Sequence, residues 1–320
     1  MRLLLTGGTG FFGKAILRRF STLGNLENTE VTILSRNPDL FIYHYPDLTS
    51  NRWIRFLKGD IELRQSLPWD HQFTHVLHAA TDSTQGPSLT PQKRYEQIVN
   101  GTQNLLDLAV ATGARRFLLT SSGAIYGPQP ADLTTISEDF PGSPPLCDPS
   151  TAYGQAKRAA EHYCALYREA HGLETVVARC FAFVGPDLPL NAHFAIGNFI
   201  RDALTADAIR VKGNGAPLRT YLDQTDLAHW LFTLLESGRS GEAYNVGSNE
   251  VISIAELAHL VRDILAPDKP VQILGNPDPA DTRNRYVPDI RKAQQELGMD
   301  IHVALAESIR RTGEACRLKS

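Results

Sequence analysis

The chain has 320 residues, enough for one large α/β domain or two smaller ones, and its 42% apolar content is ordinary for a globular protein. Its 32 basic and 35 acidic residues give a net charge of −3, so neither nucleic-acid binding nor a basic membrane patch is expected. The four cysteines lack CxxC spacing and the N-terminal apolar run is short, so we expect a soluble cytoplasmic protein without disulfides, zinc, signal peptide or membrane span.

Short apolar runs alternate with longer helical patterns through the first half of the chain. The runs that predict strands are residues 2–6, 30–35, 74–80, 116–121 and 175–181. The helical patterns between them cover residues 11–23, 92–112 and 152–171. Strands that alternate with helices predict a parallel sheet covered by helices on both faces.

Beyond about residue 185 this alternation loosens. We expect a loop over 186–191 and a strand within 209–215. The helical patterns here cover residues 193–204, 225–237, 253–265 and 289–311. Earlier, the segment 127–150 is rich in Pro, Ser, Asp and Gly, which predicts a long irregular loop immediately before Tyr153.

A glycine-rich segment, TGGTGFFG, joins the first strand to the first helix. Its glycines at 7, 10 and 13 permit a sharp turn, close approach of a diphosphate and close packing of the helix on the strand. The helix N-terminus adds attraction for phosphate charge. We therefore expect Gly7, Gly10, Phe11, Phe12 and Gly13 to bind a dinucleotide.

The end of the second strand distinguishes NAD from NADP. An acidic residue there would bind the ribose 2′-hydroxyl and repel a 2′-phosphate, but this chain has Ser35 and Arg36. An arginine can pair with a 2′-phosphate through charge-assisted hydrogen bonds. NADP is therefore slightly favoured over NAD.

Three residues have the types and order needed for proton transfer. Tyr153 and Lys157 stand at positions i and i+4 of a predicted helix and so face the same way. A nearby ammonium favours the phenolate, which can make a tyrosine a general base. Ser122, at the end of the strand over 116–121, can hydrogen-bond the same substrate oxygen.

The order of these motifs resembles the extended short-chain dehydrogenase/reductases, the NAD-dependent epimerase/dehydratases that modify nucleotide sugars. The resemblance continues through GDI, HAAT, SSGAIYG, YGQAK, RCFAFVGP, RTYLDQTDLA, YNVGSNEVISIAELA and DTRNRYVPDIRKAQQELG. It implies a Rossmann-type doubly wound parallel sheet in residues 1–185, with 219–248 returning to it. Residues 186–320 would mainly form a smaller, interleaved C-terminal α/β substrate-binding domain. The helices over 92–112 and 152–171 would form a homodimer.

The resemblance also implies roles for single residues. Tyr153 would exchange a proton with a sugar hydroxyl, typically O4, Lys157 would bind the nicotinamide ribose, and Ser122 would hold the reacting oxygen. The other expected cofactor contacts are Asp60, Ile61, Ala79, Ala80 and Thr81. The expected contacts of a nucleotide-diphosphate sugar are Thr81, Ser122, Asn191, His193, Asn198, Arg219 and Arg283. Two positions depart from the family pattern, since Ile98 and Ala182 stand where asparagines are usual.

The residues after Ser122 separate the reaction classes of the family. Its 4,6-dehydratases place an Asp-Glu pair there and its sugar-acid decarboxylases place a Glu, whereas this chain has Gly123 and Ala124. Neither residue can act as acid or base, so we expect hydride transfer at C4, by a 4-epimerase or a 4-ketoreductase. The alternatives are a 4,6-dehydratase that takes its acid and base from another loop, or a non-catalytic dinucleotide-binding regulatory protein.

Overall fold

Strands and helices alternate along the first 180 residues of the computed structural model, which describes residues 1–23, 28–81, 88–276 and 285–318. The strands are Arg2–Thr6 (β1), Glu30–Ser35 (β2), Ile54–Lys58 (β3), His75–His78 (β4), Arg116–Ser122 (β5) and Glu174–Cys180 (β6). The helices are Phe11–Thr22 (α1), Pro38–His44 (α2), Pro46–Thr49 (α3), Pro91–Ala111 (α4) and Ala152–His171 (α5).

The second half of the chain contains shorter strands. These are Phe183–Val184 (β7), Ile209–Val211 (β8), Leu218–Arg219 (β9), Leu222–Asp223 (β10), Ala243–Val246 (β11), Ile252–Ser253 (β12), Val271–Ile273 (β13) and Arg285–Tyr286 (β14). The helices are Ala195–Thr205 (α6), Gln224–Ser237 (α7), Ile254–Leu265 (α8), Arg291–Leu297 (α9) and Leu305–Arg317 (α10).

The six strands of the first half of the chain and β11 of the second half form a seven-stranded parallel sheet, in the order β11-β6-β5-β4-β1-β2-β3. The strand order reverses between β1 and β4, which confirms the predicted doubly wound, Rossmann-type sheet. The β1 residues Leu3, Leu4 and Leu5 are fully buried, as expected for a strand covered on both faces. In such sheets ligands bind at the carboxyl edge, at the reversal point.

The contacts of the chain divide it into two units. Unit 1 comprises Met1–Ile125, Pro144–Cys180 and Ala228–Tyr244, and unit 2 comprises Tyr126–Ser143, Phe181–Leu227 and Asn245–Ser320. The assignment of cofactor binding and substrate binding to separate domains stays a prediction. Among the described residues, no helix has the length and apolar character needed to cross a membrane.

Segment 127–150 contains no strand or α-helix, as predicted, and a short 3₁₀ helix covers Pro149–Thr151 near its end. Asn245 of unit 2 holds the middle of this segment in place. The Asn245 amide nitrogen donates to the Ile136 carbonyl at 2.8 Å, and its amide oxygen accepts from the Tyr126 hydroxyl at 2.8 Å. These buried hydrogen bonds explain why residues 126–143 belong to unit 2 although 1–125 do not.

The sequence prediction lacks the short helices α2 and α3 and most of the short strands of the second half, and it differs from the structure at two further places. Strand β3 was not predicted, because its sequence IRFLK carries two basic residues that are exposed at the sheet edge. The single helical pattern over 289–311 is two helices, α9 and α10. Helix α9 ends at Gly298, whose φ of 62° lies in the left-handed region that suits a helix C-terminus.

Candidate active site

The glycine-rich loop lies at the carboxyl edge of the sheet, where the strand order reverses. Gly7 has a φ of 73°, and a Cβ there would stand 2.4 Å from the Ala79 carbonyl oxygen, just after β4. A Cβ on Gly13 would stand 2.2 Å from the Gly8 carbonyl, so α1 packs directly on the loop. Gly10, in contrast, is exposed, and a Cβ there would meet only the Gly7 carbonyl oxygen, at 3.4 Å. The backbone around Gly10, Phe11 and Phe12 is therefore accessible to a ligand.

The ends of β2 and β3 lie beside each other at the same edge. Ser35 is aligned with Lys58 in the strand register, and the side chains of Arg36 and Lys58 are both exposed. A basic residue, Arg36, thus follows β2, and another, Lys58, is the last residue of β3. No acidic residue stands at the end of β2.

The residues that follow β3 are held by local contacts. Asp60 lies two residues beyond β3, where its carboxylate accepts a hydrogen bond from the Glu62 backbone at 3.0 Å. Ile61 packs against Gly101 of α4, leaving no room for a side chain at that glycine.

Ser122, Tyr153 and Lys157 come together within unit 1. Ser122 is the last residue of β5, and Tyr153 and Lys157 lie in the first two turns of α5. A side-chain hydrogen bond joins Ser122 to Tyr153. The Lys157 ammonium donates to the Thr81 hydroxyl and to the Thr120 carbonyl, both at 2.8 Å. The three candidate catalytic residues and Thr81 therefore form one cluster.

Among the described residues, the cation nearest the Tyr153 ring is Arg94 of α4. The Arg94 guanidinium carbon lies 4.3 Å from the centroid of that ring, and the Lys157 ammonium lies 5.9 Å from it. Burial raises the pKa of Tyr153, while the Ser122 hydrogen bond and the Arg94 charge act to lower it. Arg94 is thus a cation that acts on the pKa of Tyr153, and Lys157 is turned toward Thr81 and Thr120. The effect of Lys157 on Tyr153 stays a prediction.

Lys157 itself is buried, and burial lowers the pKa of its ammonium group to about 8. The charge of Arg94 acts in the same direction. The carboxylate of Glu161, one turn further along α5, acts in the opposite direction. Glu161 is also held, since it forms an ion pair with Arg179 of β6 at 2.9 Å.

The histidine of the HAAT motif, His78, is buried beneath the cluster, and sequence reasoning missed its structural role. His78 of β4 is hydrogen-bonded through Nδ1 to the Thr6 hydroxyl at 2.9 Å and through Nε2 to the Thr102 hydroxyl at 3.2 Å. Burial lowers the pKa of His78 to about 3, so the ring is neutral. Its backbone carbonyl accepts from the Thr120 hydroxyl at 3.0 Å. His78 therefore ties β1, α4 and β5 together under the site.

The other substrate-binding candidates that the structure describes belong to unit 2. Asn191 and His193 are exposed, and the Asn198 amide oxygen accepts from Arg201 at 2.9 Å. Arg219, at the end of β9, donates to the Leu218 carbonyl at 2.8 Å. Arg283 lies outside the described residues. The roles of all these residues in substrate binding stay predictions.

The two departures from the family pattern have structural roles. Ile98 is buried in the core between α4 and its neighbours, and the Ala182 carbonyl accepts from the Leu222 backbone at 3.0 Å. Neither side chain offers the polar group of an asparagine.

A family model described as the NAD dependent epimerase/dehydratase family matches residues 3–247. The chain belongs to this family. UDP-glucuronic acid decarboxylase 1 of Danio rerio is 31% identical, with 97% of this chain and 71% of the relative covered. UDP-glucuronic acid decarboxylase 6 of Arabidopsis thaliana is 30% identical, with 100% of this chain and 90% of the relative covered.

Solved structures of other family enzymes share the fold. The dTDP-glucose 4,6-dehydratase DesIV of Streptomyces venezuelae, determined with NAD, has a TM-score of 0.85 at 26% identity, covering 99% of this chain and 97% of that one. The UDP-glucose 4-epimerase of Thermotoga maritima, determined with UDP-glucose, has a TM-score of 0.84 at 23% identity, covering 100% and 99%. The chain is thus similar to nucleotide-sugar enzymes of three reaction classes.

Substitution of two glycines of the loop should affect two different properties, the free energy of unfolding and the affinity for the dinucleotide. Gly13→Ala should lower the free energy of unfolding by roughly 3 kcal/mol, because its Cβ would overlap the Gly8 backbone. Gly10→Ala should leave that free energy nearly unchanged, because Gly10 is exposed and has an extended backbone, but should weaken dinucleotide binding. Urea unfolding and NADPH fluorescence titration measure the two effects. Equal loss of stability in both variants would contradict this account of the loop.

The burial of Lys157 should make stability depend on pH. Between its folded pKa of about 8 and its ordinary value of 10.5, the unfolded chain holds a proton that the folded one has lost. Raising the pH through this window therefore stabilises the folded protein. Relative to Lys157→Met, the wild type should gain about 2 kcal/mol between pH 7 and pH 10 in urea unfolding. Parallel pH curves for the two proteins would show that Lys157 is not perturbed.

Proposed function

We propose that the protein is a nicotinamide-dinucleotide-dependent oxidoreductase of a nucleotide sugar that acts at sugar C4, as a 4-epimerase or a 4-ketoreductase. One observation carries this proposal. Ser122, Tyr153 and Lys157 form a cluster at the carboxyl edge of the sheet, while Gly123 and Ala124 next to it bear no acid or base. The cluster supports proton transfer coupled to redox chemistry at one carbon and offers no second acid–base pair for elimination.

Each residue of the cluster has a task in this reaction. The Tyr153 phenolate takes the proton of the sugar O4 hydroxyl as the C4 carbonyl forms, and returns it when the carbonyl is reduced. Ser122 donates a hydrogen bond to the same oxygen. Lys157 and Thr81 would hold the nicotinamide ribose hydroxyls. The dinucleotide, when bound, supplies the hydride acceptor or donor for C4.

The loop and strand ends fit such a dinucleotide. The exposed turn at Gly10 and the N-terminus of α1 suit its diphosphate. Family membership and the NAD in the DesIV structure support a nicotinamide dinucleotide. The preference for NADP rests on the exposed Arg36 and Lys58 and on the absence of an acidic residue at the end of β2. Asp60, Ile61, Ala79 and Ala80 would complete the cofactor contacts.

Arg36→Ala should weaken NADP binding about tenfold and change NAD binding much less, because the guanidinium would pair only with the 2′-phosphate. Calorimetric titration of both oxidised cofactors measures the two dissociation constants. Arg18→Ala is a matched control, since Arg18 is an exposed arginine paired with Asp47 at 3.7 Å. An equal loss of affinity for NAD and NADP in Arg36→Ala would show that Arg36 does not distinguish the two cofactors, and would remove the reason for preferring NADP.

For the substrate we propose a nucleoside diphosphate sugar, held by Arg219, Arg283, Asn191, His193 and Asn198. Arginine suits a diphosphate because its planar guanidinium binds two oxygens at once. The homodimer expected from α4 and α5 also stays a prediction.

Decarboxylation of a uronic acid is the second candidate, favoured by the two UDP-glucuronic acid decarboxylases at 30–31% identity. Oxidation at C4 of a nucleotide-linked uronic acid places the new carbonyl β to the C6 carboxylate. Such a β-keto acid loses CO₂ as the C5–C6 bond breaks, and its electron pair forms an enol that takes a proton at C5. Ala124 stands in the segment where decarboxylases place their glutamate, so this chain would lack that acid–base group.

The test is to incubate the protein with UDP-glucose and with UDP-[6-¹³C]glucuronic acid, each with NAD or NADP, and to analyse products by NMR. We expect inversion or oxidation at C4 of UDP-glucose, and either no reaction or inversion at C4 of UDP-glucuronic acid, without ¹³CO₂ release. Release of ¹³CO₂ would establish the second candidate instead.

Tyr153→Phe should reduce this turnover by about 10²–10⁴-fold, because the proton acceptor is lost. Its affinity for the dinucleotide should stay within about twofold of the wild type, because Lys157 and the glycine-rich loop are intact. The same NMR assay and a cofactor titration measure both effects. An active Phe variant would show that Tyr153 is not the base.

A further inference from the structure

Arg94 lies on a face of α4 that points toward the candidate site. Residues 94, 98 and 102 are spaced by one helical turn and so share that face. Thr102 contacts the buried His78, Ile98 packs in the core, and Arg94 lies over the Tyr153 ring. Position 98 carries an apolar side chain, and the charged group of this face is Arg94, one turn earlier.

The guanidinium of Arg94 is placed to act on the phenol. Its carbon is 4.3 Å from the ring centroid, within the distance at which an arginine interacts with an aromatic face. The Lys157 ammonium is farther away, at 5.9 Å, and is directed to two oxygen acceptors. A phenolate carries its charge partly in the ring, so a cation over the ring stabilises it more than the neutral phenol.

Within the part of the chain that the structure describes, the groups that face Tyr153 come from four elements. They are Arg94 of α4, Lys157 of its own helix α5, Ser122 at the end of β5 and Cys180 at the end of β6. Burial raises the pKa of the Cys180 thiol to about 12, so this group is neutral. The acidic group nearest Lys157, Glu161, is paired with Arg179. Arg94 is therefore the permanent cation in contact with the Tyr153 ring.

We propose that Arg94 is a positioning residue for Tyr153, whose guanidinium stabilises the phenolate form and holds the ring against β5. This inference rests on the proposed function, in which Tyr153 is the base. Burial alone would keep Tyr153 protonated, and the Arg94 charge acts against that effect. Arg94 also disfavours the charged form of Lys157, so removal of Arg94 would make Lys157 more fully charged. The extra charge on Lys157 would offset only part of the lost stabilisation of the Tyr153 phenolate, because Arg94 is closer to the ring than Lys157 is.

The test follows the ionisation of Tyr153 directly and needs no turnover. Protein labelled with ¹³C at tyrosine Cζ is titrated by NMR, and Tyr153→Phe assigns the Tyr153 signal. In Arg94→Met the midpoint should rise by about one pH unit, because the cation is lost. Arg94→Lys keeps the charge and should titrate close to the wild type, whereas a purely steric role would shift it as much as methionine does.

Lys93→Met is the matched control. Lys93 is the neighbouring cation on α4, but it is exposed and pairs with Glu62 at 2.8 Å. Its loss should leave the Tyr153 midpoint unchanged. An unchanged midpoint in Arg94→Met, or an equal shift in Lys93→Met, would overturn the inference. If Arg94→Met does not fold, Arg94→Gln is titrated in its place with the same expectation.

The pH dependence of turnover separates this inference from the proposed function. In Arg94→Met the acid limb of kcat/KM, which reports ionisation of the free enzyme, should move toward alkaline pH by the same amount as the NMR midpoint. If the wild type converts no sugar nucleotide, the proposed function fails, while the NMR midpoints still decide the effect of Arg94 on Tyr153. If turnover is normal and the midpoints coincide, the inference on Arg94 fails alone.

Discussion

The buried ammonium of Lys157 is the constraint on which the arrangement of the site depends. A buried charge is costly unless hydrogen bonds replace the lost water. Here the hydrogen bonds that replace water are accepted by the Thr81 hydroxyl, which follows β4, and by the Thr120 carbonyl, near the end of β5. The ends of β4 and β5 and the first turns of α5 must therefore meet at this point. His78 supports the same junction from below through its hydrogen bonds to Thr6 and Thr102.

The charges around Tyr153 follow from this arrangement. Because Lys157 is directed to Thr81 and Thr120, the cation over the phenol ring is Arg94. Gly123 and Ala124, at the end of β5, add no carboxylate near the ring. The site thus combines a tyrosine, two cations and a serine. Burial raises the pKa of Tyr153, the Ser122 hydrogen bond and the Arg94 charge act against that rise, and no second acid–base group follows Ser122. This composition agrees with redox chemistry at one carbon better than with elimination.

Much of this organisation can be predicted from the sequence. The apolar runs place β1, β2, β4, β5 and β6, and the glycine spacing at 7, 10 and 13 predicts a tight loop at the reversal point of the sheet. Tyr153 and Lys157 are predicted to share a helix face from their spacing alone. The strand β3 could not be predicted in this way, because the exposed basic residues of an edge strand interrupt its apolar pattern.

Arg94 could not be predicted because its role depends on how α4 packs against α5, more than 50 positions away in sequence. Nothing in its local sequence distinguishes it from Lys93, which points to Glu62. The grouping of residues 126–143 with unit 2 similarly depends on the distant Asn245. Contacts of this kind become visible only when the packing of the elements is known.

The most direct measurement follows a deuterium label at sugar C4 during a single turnover. UDP-glucose and UDP-glucuronic acid deuterated at C4 are mixed with excess protein and oxidised dinucleotide, quenched and analysed by mass spectrometry. Chemistry at C4 predicts that the deuterium passes from the sugar to the nicotinamide ring during the turnover; a ketoreductase leaves it there, and an epimerase returns it to C4 of the inverted sugar. Conversion of either sugar with the deuterium still at C4 throughout, or no conversion of either, would contradict the account.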